Sequence, residues 1–236
     1  LFDSTHSLAG GKFLLTSNDQ SNSPPFVQAK NPFVTYLNFS KGFVATWQAF
    51  DQNGNSKIVM RVFGPNGNPV TQYIVLDSFN YQSSLSQVAA PSVTEINQDG
   101  DFVVVWKKRE YASYLYSPGF EIDGFTWDVY AQVFDAEGNA VGEKIKVNAV
   151  ADGPYASPDV IPSQPSYEIA PSVVAYDGNK FLVTWHNKSG GDSGQKFNSS
   201  LTKLGGQFNT GYSPAQATSF GPNNSFISFI GPNAGG

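Results

Sequence analysis

The sequence predicts an all-β fold made of repeated four-stranded antiparallel units, and three observations carry that prediction. A short strand ending in Trp recurs: Phe-Val-Ala-Thr-Trp at 43–47, Phe-Val-Val-Val-Trp at 102–106 and Phe-Leu-Val-Thr-Trp at 181–185. Phe-Ile-Ser-Phe-Ile at 226–230 is a fourth copy with Ile in the last place. Second, no run of ten residues has apolar positions at helical spacing that is not better read as strands. Third, the chain holds 23 Gly and 15 Pro among 14% aromatic and 14% charged residues. That composition suits many short strands joined by turns.

The elements follow in order. A strand opening on Pro precedes each Trp strand, at Pro32, Pro91, Pro171 and Pro214. Pro is expected as the first strand residue, where its missing N–H removes no ladder bond. Turn formers join the two strands: Lys41-Gly42, Asp99-Gly100, Asp177-Gly178 and Pro222-Asn223-Asn224. Asp-Gly between apolar runs is a strong hairpin signal. In the Trp strand, positions one, three and five share a face. Positions two and four are apolar or Thr in the three Trp copies, so both faces are expected to be covered.

The second half of the unit also aligns. Phe2, Phe63 and Phe134 each stand eight residues before Gly10, Thr71 and Gly142, and a fourth strand follows at 12–15, 73–76 and 144–147. The third unit degrades after Trp185 into a Ser/Gly-rich stretch at 189–194, a weak strand at 196–204 and a candidate fourth strand, Gln207-Phe208-Asn209. The expected organisation is one all-β repeat domain over 1–236: a half-unit at 1–19, units at 26–79 and 90–150, a degenerate unit at 169–209 and a half-unit at 214–230.

A single sheet cannot bury both faces, so the units must stack, with aromatic side chains filling the gaps. Trp47, Trp106 and Trp185 are read as that packing rather than as a platform for sugar rings. Four-stranded units of this size build β-propellers, here a small one of about four blades. The alternative is a stacked β-sandwich with exchanged terminal strands. The two terminal half-units are complementary. Either they close one ring, or they pair between molecules and give a head-to-tail filament.

The stretch from Phe102-Val103-Val104-Val105-Trp106 through Gln132-Val133-Phe134-Asp135-Ala136-Glu137-Gly138 to Gly142 and Val147-Asn148 resembles a repeat of large bacterial extracellular and surface proteins. Pro91-Ser92-Val93 and Pro171-Ser172-Val173 resemble its Pro-Ser-Val opening. The similarity is good in the second unit, fair in the first and poor after Trp185. It implies a propeller-like or adhesin-like β fold, an extracellular or cell-surface location, and a binding or scaffolding role. It supplies no catalytic residue.

Composition narrows the partners. The net charge is −5, and the basic run Lys107-Lys108-Arg109 is followed at once by Glu110. This argues against nucleic acid, which needs clustered cations. No stretch approaches the ~18 apolar residues of a membrane span. With no Cys, disulfides and thiolate chemistry are excluded. No leader is recognisable, and Leu1 reads as a processed end.

No catalytic site is predicted. His6 and His186 stand in different units, nothing resembles a Gly-X-Ser-X-Gly elbow, and two His without Cys make a poor transition-metal set. Asp51-Gln52-Asn53-Gly54-Asn55 alternates oxygen ligands as a calcium loop does, but it lacks a downstream Glu and reads as a turn. No cofactor is therefore expected, with calcium as the weaker option.

The candidate binding site is an aromatic and acidic loop inserted at 107–127. It carries Tyr111, Tyr114, Tyr116, Asp123, Phe125 and Trp127, beside Glu110, Glu121 and Asp128. Tyr and Trp favour a protein interface first and a sugar site second. Paired carboxylates for glycoside hydrolysis rank third. Asn38, Asn187, Asn198 and Asn223 begin Asn-X-Ser sequons and are glycosylation candidates. The expected function is that of a non-enzymatic extracellular structural protein, a homo-oligomer or polymer joined through terminal strands. A closed propeller that binds glycan or protein is the alternative.

Overall fold

A computed structural model describes residues 15, 26–79, 88–117, 120–148, 171–187, 191–210, 217–219 and 227–229. Among these, every regular element is a β-strand. The first sheet runs β1 (Gln28–Leu37), β2 (Gly42–Phe50), β3 (Ser56–Phe63), β4 (Ile74–Phe79). The second runs β5 (Val88–Glu95), β6 (Phe102–Ser117), β7 (Phe120–Phe134), β8 (Ala140–Lys146). The third comprises β9 (Ser172–Tyr176), β10 (Lys180–Asn187), β11 (Gly191–Asn198) and β12 (Phe208–Asn209). A two-stranded piece follows, β13 (Ala217–Ser219) with β14 (Ile227–Phe229). All pairings are antiparallel between chain neighbours, so the repeated four-stranded unit is the building block.

The sheets stack in one direction. Phe102, Val104 and Trp106 pack against Val44, Ile58, Met60 and Val62 of the first sheet. Val103 and Val105, on the opposite face of β6, pack against Phe181, Val183 and Trp185 of the third. Each Phe-to-Trp face thus meets the back of the preceding sheet. The first sheet's own such face, with Ala45, Trp47 and Phe43, forms a third cluster that Leu15 joins. Leu15 lies there as Leu76 lies on the face of the second sheet. The three Trp are buried, as interior packing requires. The leading strands follow one another around an axis, β1 beside β5, β5 beside β9 and β9 beside β13.

Two devices repeat between the sheets. Phe43–Phe63, Phe102–Phe134 and Phe181–Phe197 are paired across neighbouring strands with stacked rings, centroids 4.8, 5.5 and 5.3 Å apart. Two residues before the last Phe of each pair, a buried polar side chain reaches a carbonyl ten residues on. Arg61 Nε donates to Thr71 O, Gln132 Nε2 to Gly142 O and Gln195 Nε2 to Gly205 O, at 2.9, 2.9 and 3.1 Å. Satisfying a buried side-chain donor in this way avoids a penalty of about 1–3 kcal/mol.

The third unit is therefore less degenerate than its sequence suggests. Its third strand is β11 at 191–198, not a strand at 196–204. Phe197 is the equivalent of Phe63 and Phe134, and Gly205 stands eight residues on. Gln195-Lys196-Phe197 was the overlooked signal. A strand rich in Gly and Ser has low intrinsic preference for extended structure, and pairing along all of β10 overrides it. Phe208–Asn209 is the fourth strand, as expected.

Two placements differ from expectation. Pro32 and Pro91 sit inside β1 and β5, at register shifts between Lys30 and Phe33 and between Ala89 and Ser92. Both are edge strands, where a bulge absorbs a residue that cannot donate. Asn31 and Ala90, just before them, take φ values of 51° and 49°. Pro171 directly precedes β9 as expected, and Pro214 lies outside the described residues. The second difference is the insertion at 107–127, which is not a loop. β6 and β7 run on together, paired from Phe102↔Phe134 out to Ser117↔Phe120, well past the last partners of β5 and β8. Alternating bulky residues in two facing runs pair more readily than they leave backbone unsatisfied.

Candidate functional site

In each sheet the chain reverses after its first strand at the same end of the axis. In the first turn Lys41 takes φ 56°; in the third Asp177 and Gly178 take 50° and 78°. The second turn is held by Asn97, whose Oδ1 accepts from the N–H groups of Asp99 and Asp101 at 3.1 and 2.9 Å. Its Nδ2 donates to Asp101 Oδ2 at 2.8 Å. Gly100, at φ 89°, closes that turn, and a Cβ there would come within 2.9 Å of the Cβ atoms of Phe39 and Ala136. Turn one thus rests directly on turn two.

Between these three turns lies a half-open cavity of about 570 Å³. Tyr36 and Phe39 enter it from the first sheet, Glu95 and Gln98 from the second and Tyr176 from the third. Glu95 spans the first two sheets: its Oε1 accepts from the Asn38 N–H and its Oε2 from Asn38 Nδ2, both at 2.6 Å. Burial deprives the Tyr176 phenolate of water and raises that phenol above its ordinary value of 10.0. In the third turn's sheet, Lys180 and Asp177 form an ion pair at 2.5 Å. The hydrogen bond and charge of Asp177 raise the Lys180 ammonium above 10.5. The arrangement presents aromatic surface and amides.

The sequence-predicted site residues lie elsewhere. Tyr111 pairs with Phe125, Ser113 with Asp123 and Tyr114 with Ile122 along the extended β6–β7 ribbon, and Tyr116 sits near its tip. The side chains of residues 110–126, including Glu110 and Glu121, lie outside the description. Trp127 is buried between the second and third sheets, with Lys107 Nζ 4.7 Å and Arg109 Cζ 5.9 Å from its ring. Asp128 accepts from Asn148 Nδ2 and pairs with Lys146 at 2.7 Å.

Of the sequons, Asn38 lines the cavity, Asn187 ends β10, and the Asn198 side chain caps its own turn through Ser200 and Thr202. Asn223 and His6 are outside the described residues. His186 Nδ1 stands 2.6 Å from Asp192 Oδ1 on the neighbouring strand. In the 51–55 turn, Asp51 Oδ1 accepts from the N–H groups of Asn53 and Asn55, and Oδ2 accepts from Asn55 Nδ2. The cavity itself was not foreseen. Its turns were recognised one by one, but their meeting at one point depends on how the sheets stack.

Among the described residues, no helix is long and apolar enough to cross a membrane. No protein-family model and no curated protein matches the chain. Among solved structures, the chain is similar to Morganella morganii TcdA4, with 7% identity over 76% of this chain and a TM-score of 0.40. It is also similar to Trypanosoma rangeli sialidase, with 9% identity over 77% of this chain and a TM-score of 0.30. The chain spans 8% of the length of the first and 38% of the second.

Proposed function

We propose that the chain is a non-enzymatic structural protein, displayed extracellularly, that self-associates through the exposed edge strand β1 of its first sheet. One comparison carries this reading. Val34, Val93 and Val173 hold the same place in three sheets, opposite Ala45, Val104 and Val183. Val93 and Val173 are 2% and 6% exposed, covered by the preceding sheet, whereas Val34 is 53% exposed. Tyr36, on the same face, is exposed too. Leu15 covers the Trp47 end of this face, while β13 sits against β9. The part of the face around Val34 is left for a further pair of strands. The matching pair on a second copy is β13 with β14, and a contact of that kind joins molecules head to tail. An extracellular setting is supported by the low charge, the Asn-X-Ser sequons and the resemblance to surface-protein repeats.

Light scattering of the intact chain in solution tests this. Species larger than one chain are expected, and Val34→Asp reverts them to one chain with the near-ultraviolet circular dichroism unchanged. A wild-type chain that stays monomeric at about 100 μM, a weak-affinity concentration, means that its own strands close the ring and overturns the proposal.

A further inference from the structure

We infer that the axial cavity binds a neutral saccharide. At about 570 Å³ its size falls within the roughly 300–1,000 Å³ of small-ligand sites. Lys41 and Glu95 are the charged side chains that line it, one of each sign, and Glu95 is already committed to Asn38. A lining with no net charge offers an anionic or cationic ligand no compensation for lost hydration. Its aromatic content is high for its size. Phe39 and Tyr36 keep 60% and 52% of their surface exposed, and Tyr176 adds a third ring from the opposite side.

Rings held open at the meeting point of three rigid hairpins present apolar faces that a pyranose C–H face covers well. The hydroxyls on the sugar's edges then need paired donors and acceptors. Gln98 supplies both from one carboxamide, and it makes no hydrogen bond among the described residues. The Asn97 hydrogen bonds that shape the turn hold the neighbouring backbone in place, so the geometry is formed before any ligand arrives. The inference is separable from self-association at Gln98 and Tyr176, which belong to the second and third sheets, whereas Tyr36 lies on both surfaces.

Binding of the full chain to immobilised neutral oligosaccharides, with sialylated and sulfated ones alongside, followed by calorimetric titration of the best neutral binder, tests the inference. A neutral oligosaccharide is expected to bind. Gln98→Ala and Tyr176→Ala should each weaken it at least about tenfold, and Tyr114→Ala on the β6–β7 ribbon should leave it unchanged. If Tyr176→Ala does not fold, Gln98→Ala, an exposed turn position, decides alone. Absence of neutral binding at millimolar concentration, binding confined to charged glycans, undiminished binding by Gln98→Ala, or loss caused by Tyr114→Ala would each overturn it.

Discussion

Asp77→Ala is expected to loosen the joint between the first two sheets. Asp77 lies within β4 with a buried side chain; its Oδ1 accepts from the neighbouring Ser78 N–H, and its side-chain partners belong to the second sheet. Its Oδ2 accepts from the Trp106 indole N–H at 3.1 Å and from Lys144 Nζ at 3.0 Å, and Lys108 Nζ lies 3.7 Å from Oδ1. Trp106 is fully buried, so an indole N–H stripped of this acceptor loses about 1–3 kcal/mol. The Lys144 and Lys108 side chains are 40% and 20% exposed and turn towards water, so each adds about 0–1 kcal/mol. The sum is about 3 kcal/mol, or roughly 6–12 °C in Tm for a chain of this size.

Asp77→Asn keeps an acceptor for the indole and should cost about half as much. Thermal and urea unfolding measure both variants. A double-mutant cycle with Trp106→Phe should show a coupling of about 1 kcal/mol or more. An Asp77→Ala shift below about 2 °C, or no coupling to Trp106, would falsify the reasoning.

Three further outcomes follow from the same structure. Gly138→Ala should cost about 2–3 kcal/mol in urea unfolding, from its φ of 86° and from a Cβ placed 3.2 Å from Ile74 Cδ1 and Val62 Cγ2 of the neighbouring sheet. Gln195→Leu should cost about 0.5–1.5 kcal/mol in urea unfolding, the net worth of its bond to the Gly205 carbonyl, because the Lys196 carbonyl keeps the Leu204 N–H. Asp51 loses some hydration in its turn, but the Asn55 and Asn53 hydrogen bonds outweigh that and hold its carboxyl below the ordinary 3.8. A carboxyl lowered on folding stabilises above its unfolded value and loses that contribution as pH falls through its folded value. The Tm difference between wild type and Asp51→Ala should therefore be present at pH 6 and shrink below about pH 4; a difference that grows on acidification contradicts it.

The four-stranded unit was legible because strand alternation, turn residues and buried Phe and Trp are local and repeat in register. The third unit was harder to read, since Gly191 to Gly194 carries little propensity and β11 is defined by its partner β10. The segment at 107–127 looked like a loop because it interrupts the repeat. Its two arms pair with each other instead, the widest contact being Arg109 with Trp127, residues 18 positions apart in sequence.

The sequence by itself determined the all-β class, the Trp packing and the first hairpin turn of each four-stranded sheet, since these depend on residues within one sheet's reach. Tertiary structure alone decided the rest. It set the single stacking direction, which buries Val93 and Val173 but leaves Val34 exposed. It also brought Tyr36, Gln98 and Tyr176 to one cavity from turns far apart in the chain. Both results depend on how whole faces pack against one another, and side-chain alternation along a strand specifies which face is apolar without specifying what will cover it.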